Sequence, residues 1–325
     1  MSGFSTENTV ETVCGTVEAS SLGVVLPHEH VIHRIDYHSG RPDNCCVDIE
    51  LVAKEVARFG NAGGGTIVDV TPIGVGRDPV ALRQVAEKSG VSILSGVGLY
   101  QLECWPKELR QMSEDDLAFF LASEVDGAST GITAALLGEI ASHNENHADW
   151  RRYALWNDEC HIFRAVAKAQ RVTGLTISTH AALGRHGVAQ LRTIIQGGGD
   201  AERVIIGHCD AQAHDDIDVD LNYYHTLLSE GVTLEFDMFG WEELISDAQR
   251  FERVAQLARE GLSGRILLSM DTCRLSQLHQ FGGRGFDYLF RVVFPGLRQA
   301  GVTDQQLYQM TVLNPASLLA RRCSS

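Results

Sequence analysis

Along this chain, short runs rich in Val, Ile and Leu alternate with longer amphipathic segments. The short runs are 23–31 (GVVLPHEHV), 65–71 (GTIVDVT), 92–99 (SILSGVGL), 134–141 (AALLGEIA), 176–180 (TISTH), 203–208 (RVIIGH), 232–237 (VTLEFD) and 265–271 (RILLSMD). They are near-continuous apolar stretches, the pattern of parallel strands buried on both faces. Segments such as VDIELVAKEVARFGNAG, DPVALRQVAEKSG, HIFRAVAKAQRVTG and SDAQRFERVAQLAREG lie between them with helical periodicity, and several stop at a Gly. Eight βα units predict an α/β fold, a (β/α)8 TIM barrel, as a single domain over residues 1–325. A doubly wound open sheet gives the same alternation. The number of units, and the lack of a Gly-rich phosphate loop after the first strand, favour the barrel. The opening segment, with ETVCGTVEAS, predicts a short N-terminal hairpin against the barrel floor. No linker, low-complexity tract or internal repeat divides the chain.

Composition narrows the partners more than the chemistry. A chain of 325 residues, 44% hydrophobic, can bury a substantial core. It has no apolar run of the roughly 18 residues that a membrane helix needs. The start, MSGFSTENTVETV, lacks the basic and apolar regions of a secretory signal. A net charge of −15 argues against nucleic acid and against an anionic membrane surface. The eight cysteines form no CxxC pair, so reduced thiols and a cytoplasmic location are expected. The adjacent Cys45 and Cys46 have no functional account. A small-molecule substrate is the partner class left open.

Candidate chemistry gathers where the predicted strands end. The first carries His28 and His30, the fourth Glu139, the fifth His180, the sixth His208 and the eighth Asp271. Residues i and i+2 of a strand share a face, so His28 and His30 aim together and Glu29 turns away. In a barrel those ends converge on one mouth. Six nitrogen and oxygen ligands can there hold two divalent metal ions with a carboxylate between them. A lone His-x-His pair reads equally as two satisfied core histidines; the matched set of strand ends does not. His33, His38, His147, His161, His186, His214, His225 and His279 lack such partners and read as packed or solvated.

These residues resemble the phosphotriesterase family of the amidohydrolase superfamily almost end to end. GVVLPHEHV looks like the family's opening strand, and GGGTIVDVTPIGVGRDPVALRQVA like its second βα unit. TISTH, RVIIGHCD and ILLSMD match the later ligand strands, and FPGLRQAGVTDQQLYQMTVLNPASLLA the closing helices. The resemblance implies a binuclear metal hydrolase, usually loaded with Zn2+ (Co2+ or Mn2+ as variants) and often a homodimer. It places His28, His30 and Asp271 on the buried ion, and His180 and His208 on the exposed one.

Two departures from the family pattern matter. Many members bridge the ions with a carboxylated lysine at the end of strand four, but this chain has four lysines (Lys54, Lys88, Lys107 and Lys168), none at a strand end. Glu139 is then the carboxylate placed to bridge, as in the Glu-bearing, phosphotriesterase-related branch. A mouth carboxylate that touches no ion is its other reading. After strand seven, phosphotriesterases proper carry a proton-relaying His, where this chain has Met238 following Asp237. The expected mechanism has a metal-bridging hydroxide attack the substrate and Asp271 act as catalytic base and then acid.

The loops decide the substrate. Tyr100 ends GVGLY, where lactone-cleaving relatives resemble this chain; an ordinary rim aromatic is the alternative. His143, in ASHNEN past strand four, is placed to touch substrate or to pack. MFGWEELISD offers Met238, Phe239 and Trp241 as an apolar wall, and TCRLSQLHQFGGRGFD supplies Arg274 and Arg284 as anion-binding or merely solvated cations. An ester or lactone is the expected substrate, with an N-acyl amide or a phosphoester on the same site as the alternative. A barrel glycosidase using Glu139 with Glu235 or Asp237 leaves four strand-end histidines unexplained. A silent binding protein leaves the whole ligand set unexplained.

Overall fold

A computed structural model of the chain describes residues 8–143, 149–181, 185–212 and 216–321. His147, His214 and Cys323 lie outside the described residues. Eight parallel strands follow one another in sheet order as they do in sequence: β1 (Val24–Glu29), β2 (Gly64–Asp69), β3 (Ser92–Leu99), β4 (Leu136–Ala141), β5 (Thr176–His180), β6 (Val204–Ile206), β7 (Thr233–Phe236) and β8 (Ile266–Leu268). Helices return the chain after each: α1 (Ile49–Asn61), α2 (Pro79–Ser89), α3 (Glu114–Val125), α4 (Asn157–Thr173), α5 (Gly187–Gln196), α6 (Ile217–Leu228), α7 (Asp247–Arg259) and α8 (Phe294–Gln299). The result is a TIM barrel with helices outside.

Local signals fix the helix ends. Asp48, Asp78, Ser113 and Ser246 each accept a backbone N–H from the first turn, and Pro79 sits at the first helical position of α2. Gly90 and Gly174 end α2 and α4 in the left-handed conformation that glycine adopts without a Cβ penalty.

Strand alternation sorts the buried residues into two layers. Val25, Val68, Leu94, Leu136, Ile205 and Leu267 share one apolar cluster with Val10, Leu22, Leu318 and Leu319. Their neighbours Leu26, Ile67, Ile93, Leu137, Ile206 and Leu268 join the larger cluster that includes helix residues such as Val56, Leu82 and Phe163. The first set fills the barrel interior and the second sits under the helices. The N-terminal hairpin, Thr9–Thr12 paired with Gly15–Glu18, covers the interior from below with the closing segment. Buried Arg203 fastens that segment by donating from Nη2 to the carbonyls of Leu318 (2.7 Å) and Ala320 (2.8 Å).

Glu29, the residue between the two histidines, closes the barrel. Its carboxylate accepts from Ser269 Oγ (2.8 Å) and from the backbone N–H groups of Met270 (3.0 Å) and Thr272 (2.7 Å). The His30 N–H adds a bond to the Thr272 carbonyl at 3.2 Å. These contacts join the first strand's end to the eighth's, where the backbone ladder itself is sparse.

Candidate metal centre

Three of the six candidate residues stand just beyond their strands rather than on them: His30 by one position, and His208 and Asp271 by more. β6 stops at Ile206 and β8 at Leu268, short of the predicted 208 and 271. The physical reason is a backbone reversal: His208 has φ of 54° and Asp271 of 47°. Non-glycine residues are uncommon there, and each costs on the order of 1–3 kcal/mol unless its surroundings hold it. Asp237 Oδ2 accepts the His208 N–H at 2.9 Å, and the His28 carbonyl accepts that of Asp271 at 3.3 Å. Both side chains are thereby turned into the mouth.

Glu139 reaches the same point because β3 is stripped of side chains beside it. A Cβ built on Gly98 would lie 2.0 Å from the Glu139 carbonyl oxygen, and one on Gly96 2.4 Å from that of Gly138. Only glycine admits so close an approach. A Gly98→Ala variant is expected to push β4 outward, lower metal retention by about 10–100-fold, as disturbed support of a ligand does, and reduce thermal stability. Metal titration and a melting curve check this together.

The six side chains converge. Glu139 Oε2 lies 3.2 Å from His28 Nε2 and 2.9 Å from His180 Nδ1, and Glu139 Oε1 lies 3.7 Å from His30 Nε2. Asp271 Oδ1 is 3.3 Å from His30 Nε2, and His208 Nε2 is 2.7 Å from His180 Nδ1. All six residues are buried. Two triads, His28–His30–Asp271 and Glu139–His180–His208, are each compact enough for one ion.

A third compact group, His28–His208–Asp237, has a different geometry. Asp237 meets the Nδ1 atoms of His208 (2.8 Å) and His28 (3.3 Å), while the Nε2 atoms of both rings face Glu139. It therefore orients imidazoles from behind, as does Glu235, 2.9 Å from His28 Nδ1. Thr71 Oγ1 does the same for His30 Nδ1 at 3.0 Å. Behind Asp237, Asp210 accepts the N–H groups of Asp237 and Met238 at 3.1 Å each and pairs with the fully buried Arg250, also at 3.1 Å. These supports went unread in the sequence, although TLEFD carried the signal: 235 and 237 alternate onto one strand face.

The electrostatics demand positive charge. Burial opposes ionisation of Glu139 and Asp271, yet the surrounding histidines hold both carboxyls below their ordinary range. Burial likewise opposes protonation of His28 and His208. Asp237, with Glu139 and Glu235 at His28, nonetheless raises both, His208 to about 9. The site thus needs protons or cations to be neutralised. His28 Nε2 is buried with no hydrogen-bond partner among the described residues. Ligand atoms on a tetrahedral ion with bonds of about 2.0–2.1 Å stand roughly 3.3 Å apart. The His28–Glu139 and His30–Asp271 separations of 3.2 and 3.3 Å match that spacing. The residues fit a pair of divalent ions.

The loop residues scatter more widely. Tyr100 reaches the centre, its hydroxyl 3.2 Å from His180 Nε2. His143 turns toward Glu159, with Nδ1 2.7 Å from Oε1, and stacks on Trp156 at 3.6 Å. Trp241 is buried with Met238 and Ala211, donating to the Met270 carbonyl at 2.9 Å. Phe239 departs from the expected wall: it is fully buried in the core and stacks on Phe251. Arg274 lies over the Trp241 ring at 4.2 Å and pairs with Glu243 at 2.9 Å; Arg284 donates to the Met270 carbonyl at 2.6 Å. Both cations are engaged within the protein.

The profile of the phosphotriesterase family matches residues 8–319. The chain belongs to the phosphotriesterase family. It is similar to an N-acetyltaurine hydrolase of Dictyostelium discoideum, 26% identical over 95% of this chain and 97% of that one. Its fold matches the phosphotriesterase homology protein of Escherichia coli, solved with phosphate in the active site, with a TM-score of 0.83, 26% identity and coverage of 92% and 99%. The phosphotriesterase of Mycobacterium tuberculosis superposes with a TM-score of 0.81 at 28% identity, covering 98% of this chain and all of that one. With these relatives the chain is a hydrolase. No helix of the described residues is long and apolar enough to cross a membrane.

Proposed function

We propose that this chain is a two-metal hydrolase that cleaves the acyl bond of a small N-acyl amide. The observation that carries the two-metal reading is Glu139, within 3.2 Å of His28 and 2.9 Å of His180, one residue from each candidate triad. In this reading His28, His30 and Asp271 hold one ion, His180 and His208 the other, and Glu139 both. Zn2+ is the proposed metal, with Co2+ and Mn2+ as functional substitutes, since imidazole and carboxylate ligands suit all three. Such ions, when bound, supply Lewis acidity and lower the pKa of a coordinated water.

The protein's own groups do the rest. Asp271 accepts the proton released at the nucleophile and returns it to the departing amine, base then acid. Asp237, Glu235 and Thr71 fix the ring orientations so that the reacting geometry needs no rearrangement. The Tyr100 hydroxyl, beside His180, donates to the substrate oxygen on which negative charge grows. Tyr100→Phe is expected to lower kcat by about 10–100-fold with metal content unchanged, measured by steady-state kinetics alongside elemental analysis.

The amide is supported by the curated relatives, N-acetyltaurine hydrolases that align over nearly the whole chain. A carboxylic ester or lactone is the second reading, supported by Tyr100 at the end of β3. The test is a panel of N-acyl amides, esters, lactones and phosphotriesters offered to the Zn2+-, Co2+- and Mn2+-loaded protein. Amide turnover above the other classes supports the proposal, ester or lactone preference moves it to the second reading, and no turnover anywhere overturns both.

A further inference from the structure

Beside the candidate centre lies a separate cavity of about 290 Å3, and Tyr100 forms the wall between the two. One edge of Tyr100 meets His180, with ring centroids 4.8 Å apart, and Tyr100 also lines the cavity. The cavity opens between the segment after β3 and the start of α4. Its walls are aromatic: Tyr100, Trp105 and Trp156. Trp156 is 55% exposed even though one face stacks on His143. So large an exposed indole at a cavity rim is surface left open for a ligand.

The charges on this cavity are mostly negative. Glu103, Asp158 and Glu159 line it against a single guanidinium, Arg110. Arg110 is turned to the backbone, its Nε bonded to the Trp105 carbonyl at 3.1 Å and its Nη2 to the carbonyls of Glu103 and Trp105 at 3.0 Å each. Glu159 is engaged with His143 and with the Trp156 N–H at 2.8 Å. The exposed side chains of Glu103 and Asp158 have no ion-pair partner among the described residues. Aromatic faces with an excess of carboxylates attract a cation, through the ring quadrupole and by direct charge, and disfavour an anion.

We propose that this cavity is a subsite for a cationic substituent of the substrate, an alkylammonium arm extending past Tyr100 from the scissile acyl bond. This deepens the hydrolase reading and rests on it for the position of that bond. A volume of about 290 Å3 leaves room for one arm of a substrate. It separates this chain from an enzyme whose substrate ends in a sulfonate, because among the described lining residues three carboxylates stand against the one guanidinium of Arg110.

Calorimetric titration of the metal-loaded protein with benzyltrimethylammonium and with benzenesulfonate tests the subsite without turnover. The ammonium is expected to bind saturably at least tenfold more tightly than the sulfonate. Trp156→Ala and, separately, the Glu103→Gln/Asp158→Asn pair are each expected to weaken it about tenfold. All three are exposed residues whose replacement leaves the core intact, and a melting curve confirms the fold. Equal binding of the two probes, or ammonium binding unchanged in these variants, overturns the subsite. Kinetics with N-acetyl amides whose amine arm ends in ammonium, methyl or sulfonate then separates the two readings. Ammonium preferred in kcat/KM supports the subsite. Turnover blind to that charge overturns it and leaves the hydrolase standing. Selective ammonium binding without turnover of any of these amides supports the subsite and overturns the amide reading.

Discussion

Glu139→Ala is expected to lose most of its bound metal and at least about 1,000-fold in kcat/KM, some 4 kcal/mol of transition-state stabilisation. The parent should bind about two divalent ions per chain, a value set by the two compact triads. Glu139 is buried, 2.9 Å from His180 and 3.2 Å from His28, so its charge is the one shared between them. Without it, two cations would face each other across a low-dielectric space with imidazoles alone on the near side. Repulsion between them is then uncompensated, and one leaves. Glu139→Gln separates charge from shape: the amide fills the same volume, so it should melt near the parent yet lose metal nearly as fully as Ala. Elemental analysis of protein purified without chelator checks both variants. Two ions retained by Glu139→Ala would refute the bridge and return Glu139 to a mouth carboxylate that touches no ion.

What could be read from the sequence was what is written in runs. The eight strands are continuous apolar segments because both faces are covered, and that signal survives without knowledge of any partner strand. All six converging groups also followed from position alone, since a barrel brings its strand ends together whatever the loops do. The bridging role proposed for Glu139 needed one further step, the absence of any lysine at a strand end. Long-range pairings were invisible. Glu29 closes the barrel by binding three groups 240 or more residues away, which no local pattern encodes. Gly96 and Gly98 read as ordinary strand residues, yet their missing Cβ atoms let β4 approach. The backbone reversals at His208 and Asp271 shortened β6 and β8, because φ near 50° interrupts the ladder that apolar content alone would extend. Loop chemistry was least legible. Trp241, Arg274 and Arg284 satisfy one another and the backbone, whereas the aromatic cavity beside Tyr100 comes from segments more than 50 residues apart.

Asp271→Asn is expected to lower kcat by about 10²–10⁴-fold, the usual worth of a positioned acid–base group, with a much smaller change in KM. The substitution keeps size and one coordinating oxygen but removes the lone pairs that accept a proton. Asp271 suits that role for two reasons. It projects from a left-handed turn at the end of β8, so its carboxylate reaches the mouth, with Oδ1 3.3 Å from His30 Nε2. Against burial, its hydrogen bond with His30 and the charges of His208 and His28 hold its carboxyl below the ordinary range, which keeps it ionised. A purely ligating Asp271 and a proton-handling one differ in what metal content does. Loss of metal in step with activity would assign Asp271 to coordination alone. Near-parent metal with activity lost assigns it to the proton. An amide substrate sharpens the contrast, because an amine departs only when protonated, whereas an activated ester departs as an anion. The Asn variant should therefore be hit hardest on amides and least on esters of acidic alcohols. A uniform loss across that series would mean that Asp271 does not deliver the leaving-group proton, which would leave that step to the Tyr100 hydroxyl beside His180.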